Sequence, residues 1–110
     1  MNKFPVSPIF IPANKLDWIS KAFDKGADSV ILDLEDSIAK KEKVSTREAL
    51  FLHLKENKYE VNLIVRVNSI DEDLGIDDLE RLNQPDLDIE AFMLPKIEDP
   101  QKISNLPEIN

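Results

Sequence analysis

The sequence predicts an α/β fold in which four parallel strands alternate with helices. Four short apolar runs begin near residues 8, 29, 61 and 91, and each is too short for a helix and rich in β-branched or aromatic residues. The runs are continuous rather than alternating in polarity, which is typical of strands covered on both faces. Because helical patterns separate them, a parallel sheet with right-handed crossovers is expected. The predicted strands lie near residues 8–11, 29–33, 63–67 and 91–94.

Capping residues and apolar spacing define the helices. The first helix has Asn14 as its expected N-cap and Gly26 as its stop. The second is predicted to open on a capping box formed by Ser45 and Glu48. A third, shorter helix precedes the fourth strand, and Asp99–Pro100 opens a fourth. Spacing alone leaves a barrel and an open doubly wound sheet equally possible.

Composition restricts the classes of protein to which the chain can belong. It has 110 residues, enough for one small domain, and 42% of them are hydrophobic and 33% charged, as in soluble globular proteins. No apolar run approaches the roughly 20 residues that span a bilayer, so no membrane association is expected. The N-terminus, Met1 to Phe10, lacks the pattern of a signal peptide, and there are no cysteines. A cytoplasmic location is therefore expected, and thiolate metal sites are excluded.

The net charge of −8 is concentrated in one acidic band, residues 71–90. Its nine acids are Asp71, Glu72, Asp73, Asp77, Asp78, Glu80, Asp86, Asp88 and Glu90. Its single base is Arg81, so the band accounts for the whole net charge of the chain. Because such a band repels a phosphate backbone, no nucleic-acid partner is expected. The band is interpreted as a solvated face of a helix and its loops.

Three carboxylates follow the second predicted strand, at the end where parallel α/β folds bind ligands. Asp33, Glu35 and Asp36 lie within four residues and repel one another unless cations or hydrogen-bond donors hold them. In an extended strand, Asp33 and Glu35 share one face and Asp36 takes the other. One interpretation is a site for magnesium, for water on magnesium or for a basic ligand group. The other is that Asp36 or Ser37 caps the next helix and Glu35 pairs with a nearby lysine.

An arginine and a lysine follow the third and fourth predicted strands. Arg66 comes directly after the apolar residues 63–65, so its guanidinium is expected to be partly buried and to need an anionic partner. That partner is either structural, with Glu35 as an example, or a substrate carboxylate held by two hydrogen bonds. Lys96 follows Pro95 and is a weaker candidate for the same role, because a lysine side chain can reach away into solvent.

Four stretches of the sequence resemble the citrate lyase β-subunit-like family in order and spacing. Residues 10–15, Phe-Ile-Pro-Ala-Asn-Lys, are similar to its F-V-P-G-N-R segment, and residues 26–37 resemble its G-A-D-x-V-I-L-D-L-E-D-A/S stretch almost residue for residue. Residues 65–68 match V-R-V-N, and residues 94–98 match L-P-K-V/I-E. Each motif alone is weak, but four in register are a specific signal, and the resemblance covers nearly the whole chain.

The resemblance implies the N-terminal half of a TIM (β/α)₈ barrel and a magnesium-dependent carbon–carbon lyase. Such enzymes cleave or form 3-hydroxyacyl thioesters of the citryl-, malyl- or citramalyl-CoA type by a retro-aldol or Claisen-type reaction. By this likeness Arg66 binds the carboxylate of the oxo acid or hydroxyacyl substrate. Glu35 and Asp36 line the metal and substrate site, ordering water or orienting Arg66. Asn14 and Lys15 lie near the thioester carrier, either coenzyme A or an acyl carrier protein.

The sequence departs from the family pattern in three respects. Val6–Ser7 stands where the family often has Arg-Ser, and Ala13 replaces a glycine, so two features near the carrier are changed. The family's direct magnesium ligands, a glutamate and an aspartate, come from strands beyond the fourth. A complete barrel needs roughly 250 residues, so residues 1–110 are expected to form a partial barrel domain, truncated after the fourth strand. A homo-oligomer is expected for the full-length protein.

Two other functions stay open. A pyruvate-type class II aldolase of the same superfamily resembles the chain at the second strand, but such enzymes tend to have histidine at the place of Asp36. The other possibility is an inactive half-barrel, or a subunit that needs a partner chain.

Overall fold

The computed structural model describes residues 8–96, in which four strands alternate with three α-helices. In chain order the elements are β1 (Ile9–Pro12), α1 (Trp18–Asp24), β2 (Ser29–Asp33), a 3₁₀ turn (Lys40–Glu42), α2 (Lys43–Glu56), β3 (Asn62–Arg66), α3 (Asp73–Leu82) and β4 (Ile89–Met93). The four predicted strands are confirmed, with ends shifted by at most two residues. The helix predicted from Asp99–Pro100 lies outside the described residues. Among those described, no helix combines the length and apolarity needed to cross a bilayer.

The strands form one sheet in the order β1-β2-β3-β4, and every neighbouring pair is parallel. Each crossover therefore steps in the same direction, and right-handed crossovers of this kind place all helices on one face of the sheet. A doubly wound sheet instead reverses direction and carries helices on both faces. The arrangement is that of consecutive βα units of a TIM barrel, as the resemblance implied.

A single hydrophobic core joins the helices to one face of the sheet. Ile11, Leu32 and Val65 are register neighbours on β1, β2 and β3, and each is at most 1% exposed. They pack in the same cluster as buried residues of all three helices: Ile19, Ala22, Leu50, Phe51, Leu54, Leu79 and Leu82. Burying these side chains supplies the main drive for folding, at about 25 cal/mol per Å² of apolar area.

The opposite face of the sheet is not covered by any described helix. Side chains alternate along a strand, so this face carries the residues between the core positions. One row across the strands consists of Phe10, Ile31, Ile64 and Ala91. The next row consists of Pro12, Asp33, Arg66 and Met93. In a barrel this face lines the interior, and the second row lies at the carboxyl end of the strands.

The starts predicted for the first two helices, α1 and α2, are wrong. Residues 13–17 form turns, and α1 begins only at Trp18, so Asn14 does not cap it. The predicted stop is confirmed, because α1 ends just before Gly26, which has a positive φ of 92°. The capping box fails because α2 already begins at Lys43, and the Ser45 hydroxyl donates to the Glu42 carbonyl inside the first turn.

Candidate functional site

An ion pair between neighbouring strands forms the centre of the candidate site. Asp33 ends β2 and Arg66 ends β3, and the two residues are register partners in the sheet. Nε of Arg66 donates to Oδ1 of Asp33 and Nη2 donates to Oδ2, both over 2.9 Å. This bidentate geometry is the strongest arrangement between a guanidinium and a carboxylate. The expectation that Arg66 needs an anionic partner is met: Asp33 is its hydrogen-bonded partner, and Glu35, the partner named as an example, lies at ion-pair distance, 3.7 Å.

Asp33 also holds the loop that follows β2. The backbone N–H of Glu35 donates to its Oδ1 at 2.9 Å, and Ser37 donates to its Oδ2 from both backbone and hydroxyl, at 3.1 and 2.8 Å. Burial raises the pKa of Asp33, but the hydrogen bonds from Arg66, Glu35 and Ser37 and the charge of Arg66 outweigh it and hold that pKa far below its usual range. Asp33 is therefore ionised at neutral pH and committed to these donors.

Glu35 and Asp36 lie on the same side of the strand ends, beside Arg66. Oε1 of Glu35 is 3.7 Å from Nε of Arg66, and Oδ2 of Asp36 is 3.5 Å from Nη2. The prediction that Asp36 takes the opposite face is wrong, because β2 ends at Asp33 and the chain turns directly after it. Glu35 is half-buried, whereas the Asp36 side chain is 76% exposed at the rim.

Two sides of the Arg66 guanidinium are occupied within the structure. Asp33 takes the edge formed by Nε and Nη2, and the ring of Phe10 lies 5.0 Å from Cζ, within the range of a cation–π contact. Nη1 donates no hydrogen bond to any of residues 8–96. With its side chain 21% exposed, Arg66 keeps one edge for a further acceptor on the uncovered face of the sheet.

A cavity of about 310 Å³ lies beside Glu35. Glu35 and Lys96 both line it, and the remaining lining residues are Ser69, Asp71, Glu72 and Pro95. The structure thus brings Glu35, Asp36 and Arg66 within ion-pair distance and places Lys96 on the same cavity as Glu35. A larger cavity, about 420 Å³, lies between the end of α3 and the starts of β3 and β4, away from these residues.

Asn14 and Lys15 lie in the turn after β1. Both are exposed, and the Lys15 backbone N–H donates to the Pro12 carbonyl at 2.8 Å. Within the described part of the chain neither side chain hydrogen-bonds to Arg66 or to the carboxylates. Their predicted contact with a thioester carrier stays a prediction.

Behind the site lies a buried polar network that the sequence did not indicate. Asp78 is the exception to the predicted solvated face of the acidic band, because its side chain is 0% exposed whereas seven of the nine acids of the band are exposed. Its carboxylate accepts from the backbone and side-chain amides of Asn68, at 2.9 and 2.8 Å, and from Nη1 of Arg47 at 3.2 Å. Lys43 donates to Oδ1 of Asn68 at 2.6 Å. Each buried polar atom named here has a partner, as a stable interior requires.

Comparison with known proteins gives one consistent result. Citrate lyase subunit beta of Escherichia coli K12 is 33% identical over 101 residues, covering 91% of this chain and 33% of that protein. The (3S)-malyl-CoA thioesterase of Cereibacter sphaeroides KD131 is 37% identical over 92 residues, covering 83% of this chain and 32% of that protein. The chain therefore spans about a third of the length of these curated relatives.

Solved structures agree with the sequence relatives. CitE of Mycobacterium tuberculosis, in complex with magnesium and pyruvate, superposes with a TM-score of 0.68 at 32% identity, covering 93% of this chain and 40% of that one. RipC of Yersinia pestis superposes with a TM-score of 0.61 at 27% identity, covering 88% of this chain and 37% of that one. The family model described as HpcH/HpaI aldolase/citrate lyase matches residues 7–109. The chain belongs to the HpcH/HpaI aldolase/citrate lyase family.

Proposed function

We propose that the chain supplies the carboxylate-binding part of a magnesium-dependent carbon–carbon lyase that acts on 3-hydroxyacyl thioesters. The observation that carries this proposal is the state of Arg66, whose Nε–Nη2 edge is fixed by Asp33 while its Nη1 edge is left for another acceptor. A guanidinium held in this way is preorganised to grip a carboxylate with two parallel hydrogen bonds. Its place at the carboxyl end of a parallel strand is where TIM barrels bind substrates.

The charges around Arg66 fit a site that also uses a cation. Asp33 already neutralises Arg66, so Glu35 and Asp36 add negative charge that would repel a substrate carboxylate. Among residues 8–96, no group of three carboxylate or imidazole side chains is arranged to hold a metal ion. If a magnesium ion were bound here, the carboxylates of Glu35 and Asp36 would face it and would accept hydrogen bonds from its hydration water. Bound magnesium supplies Lewis-acid polarisation and stabilises the negative charge that develops in the reaction.

In the proposed cleavage, the bond between C2 and C3 of the acyl group breaks and its electron pair stays with the thioester fragment. The C3 hydroxyl loses its proton to solvent and becomes the carbonyl of an oxo acid, while C2 takes up a proton to complete the acyl thioester product. Arg66 holds the carboxylate next to that carbon through Nη1 and the remaining N–H of Nη2. Glu35 is proposed to order water in the 310 Å³ cavity, to which Lys96, another lining residue, adds a positive charge. Asn14 and Lys15, exposed beyond β1, are proposed to contact coenzyme A or an acyl carrier protein.

A second candidate reaction is hydrolysis of the same thioesters. It is favoured by the relative named (3S)-malyl-CoA thioesterase, which is 37% identical to this chain. The two reactions differ in their products. Cleavage of malyl-CoA gives acetyl-CoA and glyoxylate without consuming water, whereas hydrolysis gives malate and the free thiol of coenzyme A. Chromatographic analysis of the acyl-CoA pool, together with a thiol reagent, assigns the reaction directly.

The role of Arg66 is tested by Arg66→Lys in a graft in which residues 8–96 replace the matched segment of the Cereibacter relative. Lysine keeps the charge but loses the planar fork, so kcat/KM should fall by about tenfold to a hundredfold, the value of one charge-assisted hydrogen bond. Arg81→Lys, at an exposed pair with Glu48, is the matched control. Because Arg66 also pairs with Asp33, the assay is run well below the melting temperature of the variant. Unchanged kinetics in Arg66→Lys would confine this residue to a structural role.

A further inference from the structure

Lys43, the first residue of α2, uses its ammonium group to hold the loop that carries Glu35. Its Nζ donates to the carbonyl oxygens of Leu34, at 3.1 Å, and of Glu35, and to Oδ1 of Asn68 at 2.6 Å. An ammonium has three N–H donors, so all three are committed to the protein. The group is therefore not available to pair with a substrate or to act as a free amine.

The position of Lys43 is unfavourable for a lysine in local terms. The N-terminus of a helix carries partial positive charge, which repels a cation, and α2 begins at this residue. Lys43 is also half-buried, whereas its neighbours Lys40 and Lys41 are exposed. The hydrogen bonds to the loop and to Asn68 must offset both costs, and they identify what the side chain does in the folded protein.

Asn68 connects Lys43 to the strand that carries Arg66. It lies two residues after Arg66 and is fixed from both ends of its amide. Its Oδ1 accepts from Lys43, and its Nδ2 donates to the buried Asp78 at 2.8 Å. Arg47, one turn after Lys43 on α2, donates to the same Asp78 at 3.2 Å. One ammonium thus ties the loop after β2 to Asn68, which follows the end of β3.

We propose that Lys43 is a positioning residue that sets the placement of Glu35 relative to Arg66. By holding the carbonyls of residues 34 and 35, it fixes the backbone from which the Glu35 carboxylate reaches to 3.7 Å from the guanidinium. The effect on placement stands on the contacts alone. Its consequence for turnover rests on the proposed function.

Hydrogen exchange in the 110-residue chain tests the placement without any catalysis. The N–H groups of Glu35 and Ser37 donate to Asp33 inside this loop. In Lys43→Met these two amides should exchange about tenfold faster, the factor that follows from losing one charge-assisted hydrogen bond, while amides of β2 and β3 change less. Lys41→Met, an exposed lysine in the preceding turn, should leave all of them unchanged. A uniform increase over the whole chain would overturn the proposal, because it would make Lys43 a general stabilising residue.

Lys43→Arg provides a second test if the methionine variant does not fold. Arginine keeps the charge, but its planar fork cannot direct donors at three separate acceptors, so exchange at Glu35 and Ser37 should still rise. Wild-type protection at both amides would contradict the proposal.

Kinetics in the graft described above provide a third test. There, Lys43→Met should lower kcat by about tenfold or more, and in a Glu35→Gln background the same substitution should have much less effect. Equal losses in both backgrounds would refute action through Glu35. An inactive wild type would count against the proposed function and leave the exchange result to decide the placement.

Discussion

Replacing Asp33 with asparagine tests whether its ion pair with Arg66 is a main source of stability. The carboxylate accepts five hydrogen bonds of 2.8–3.1 Å, two from Arg66, two from Ser37 and one from the Glu35 N–H. Asparagine keeps one acceptor oxygen and places an NH₂ group where the other oxygen stood. On whichever side it lies, that group faces N–H or O–H donors, so the loop and the guanidinium cannot both be satisfied.

The magnitude follows from what remains around Arg66. Removing one partner of a buried ion pair costs about 3–5 kcal/mol. The lower end applies here, because Asp36 at 3.5 Å and Glu35 at 3.7 Å still face the guanidinium, and its side chain is 21% exposed. We therefore expect Asp33→Asn to lower the free energy of unfolding by about 3 kcal/mol at pH 7. For a domain of this size that corresponds to a fall in Tm of about 12–24 °C.

Asp33→Asn should also make the free energy of unfolding depend less on pH in the acidic range. The hydrogen bonds and charge that outweigh burial hold the pKa of Asp33 far below its ordinary value of 3.8. A depressed folded pKa gives stability that is complete above the ordinary value and is lost as the pH falls toward the folded one. The loss of unfolding free energy in Asp33→Asn, relative to wild type, should therefore be smaller at about pH 3 than at pH 7. Urea unfolding of wild type and variant at both pH values measures this difference. Asp36→Asn, at an exposed side chain, is the control, and its free energy of unfolding should change by about 0.5 kcal/mol or less. Equal stability of Asp33→Asn and wild type at pH 7, or a deficit independent of pH, would refute this reasoning.

Two further predictions concern packing and association. In Gly75→Ala the new Cβ would lie 2.2 Å from the Ser69 carbonyl oxygen and 2.4 Å from that of Asn68. Overpacking of this kind costs about 1–3 kcal/mol, and the higher helix propensity of alanine offsets only about 1 kcal/mol of it. Urea unfolding should therefore show a lower free energy of unfolding for the variant, and a more stable variant would be contrary evidence. Within residues 8–96 no strand pairs with the outer edge of β1 or β4, and Phe10, on the sheet face that no described helix covers, is 51% exposed. We therefore expect the 110-residue chain to self-associate. Sedimentation velocity should show species larger than a monomer that grow with concentration, and a monomer at every concentration would disprove this.

The strands could be predicted from sequence because each is a continuous apolar run, whereas the hydrogen-bonded partner of Arg66 could not. Which residue on β2 lies beside Arg66 depends on the register between strands, and no feature within a single run specifies it. Asp33 was visible as one of three carboxylates, and a register that aligned the two strand ends would have singled it out. The face of Asp36 was predicted wrongly because the strand ends at Asp33, whose own side chain draws the next residues into a turn.

The buried network behind the site was hidden from sequence for a different reason. Lys43 and Asp78 both look like surface residues of charged helices, and local rules favour neither of them in the interior. Their burial depends on partners 25 and 10 residues away at Asn68, contacts that exist only once β3 has joined the sheet. The same tertiary contacts explain why α2 begins at a lysine rather than at the predicted serine cap.

The pairing of Asp33 with Arg66 also bears on how an anionic ligand can be bound at all. A lone arginine would attract carboxylates of many kinds by charge alone, but here its charge is already matched and two more carboxylates stand within 4 Å of it. The interaction that Arg66 can still offer a ligand is directional, because its free N–H donors lie in a fixed plane with the Phe10 ring on one face. Under the proposed function, an anion would have to match that plane and would bind together with a cation that offsets Glu35 and Asp36. Selectivity under the proposed function would then arise from requiring both at once, which explains why the site surrounds its one arginine with acids.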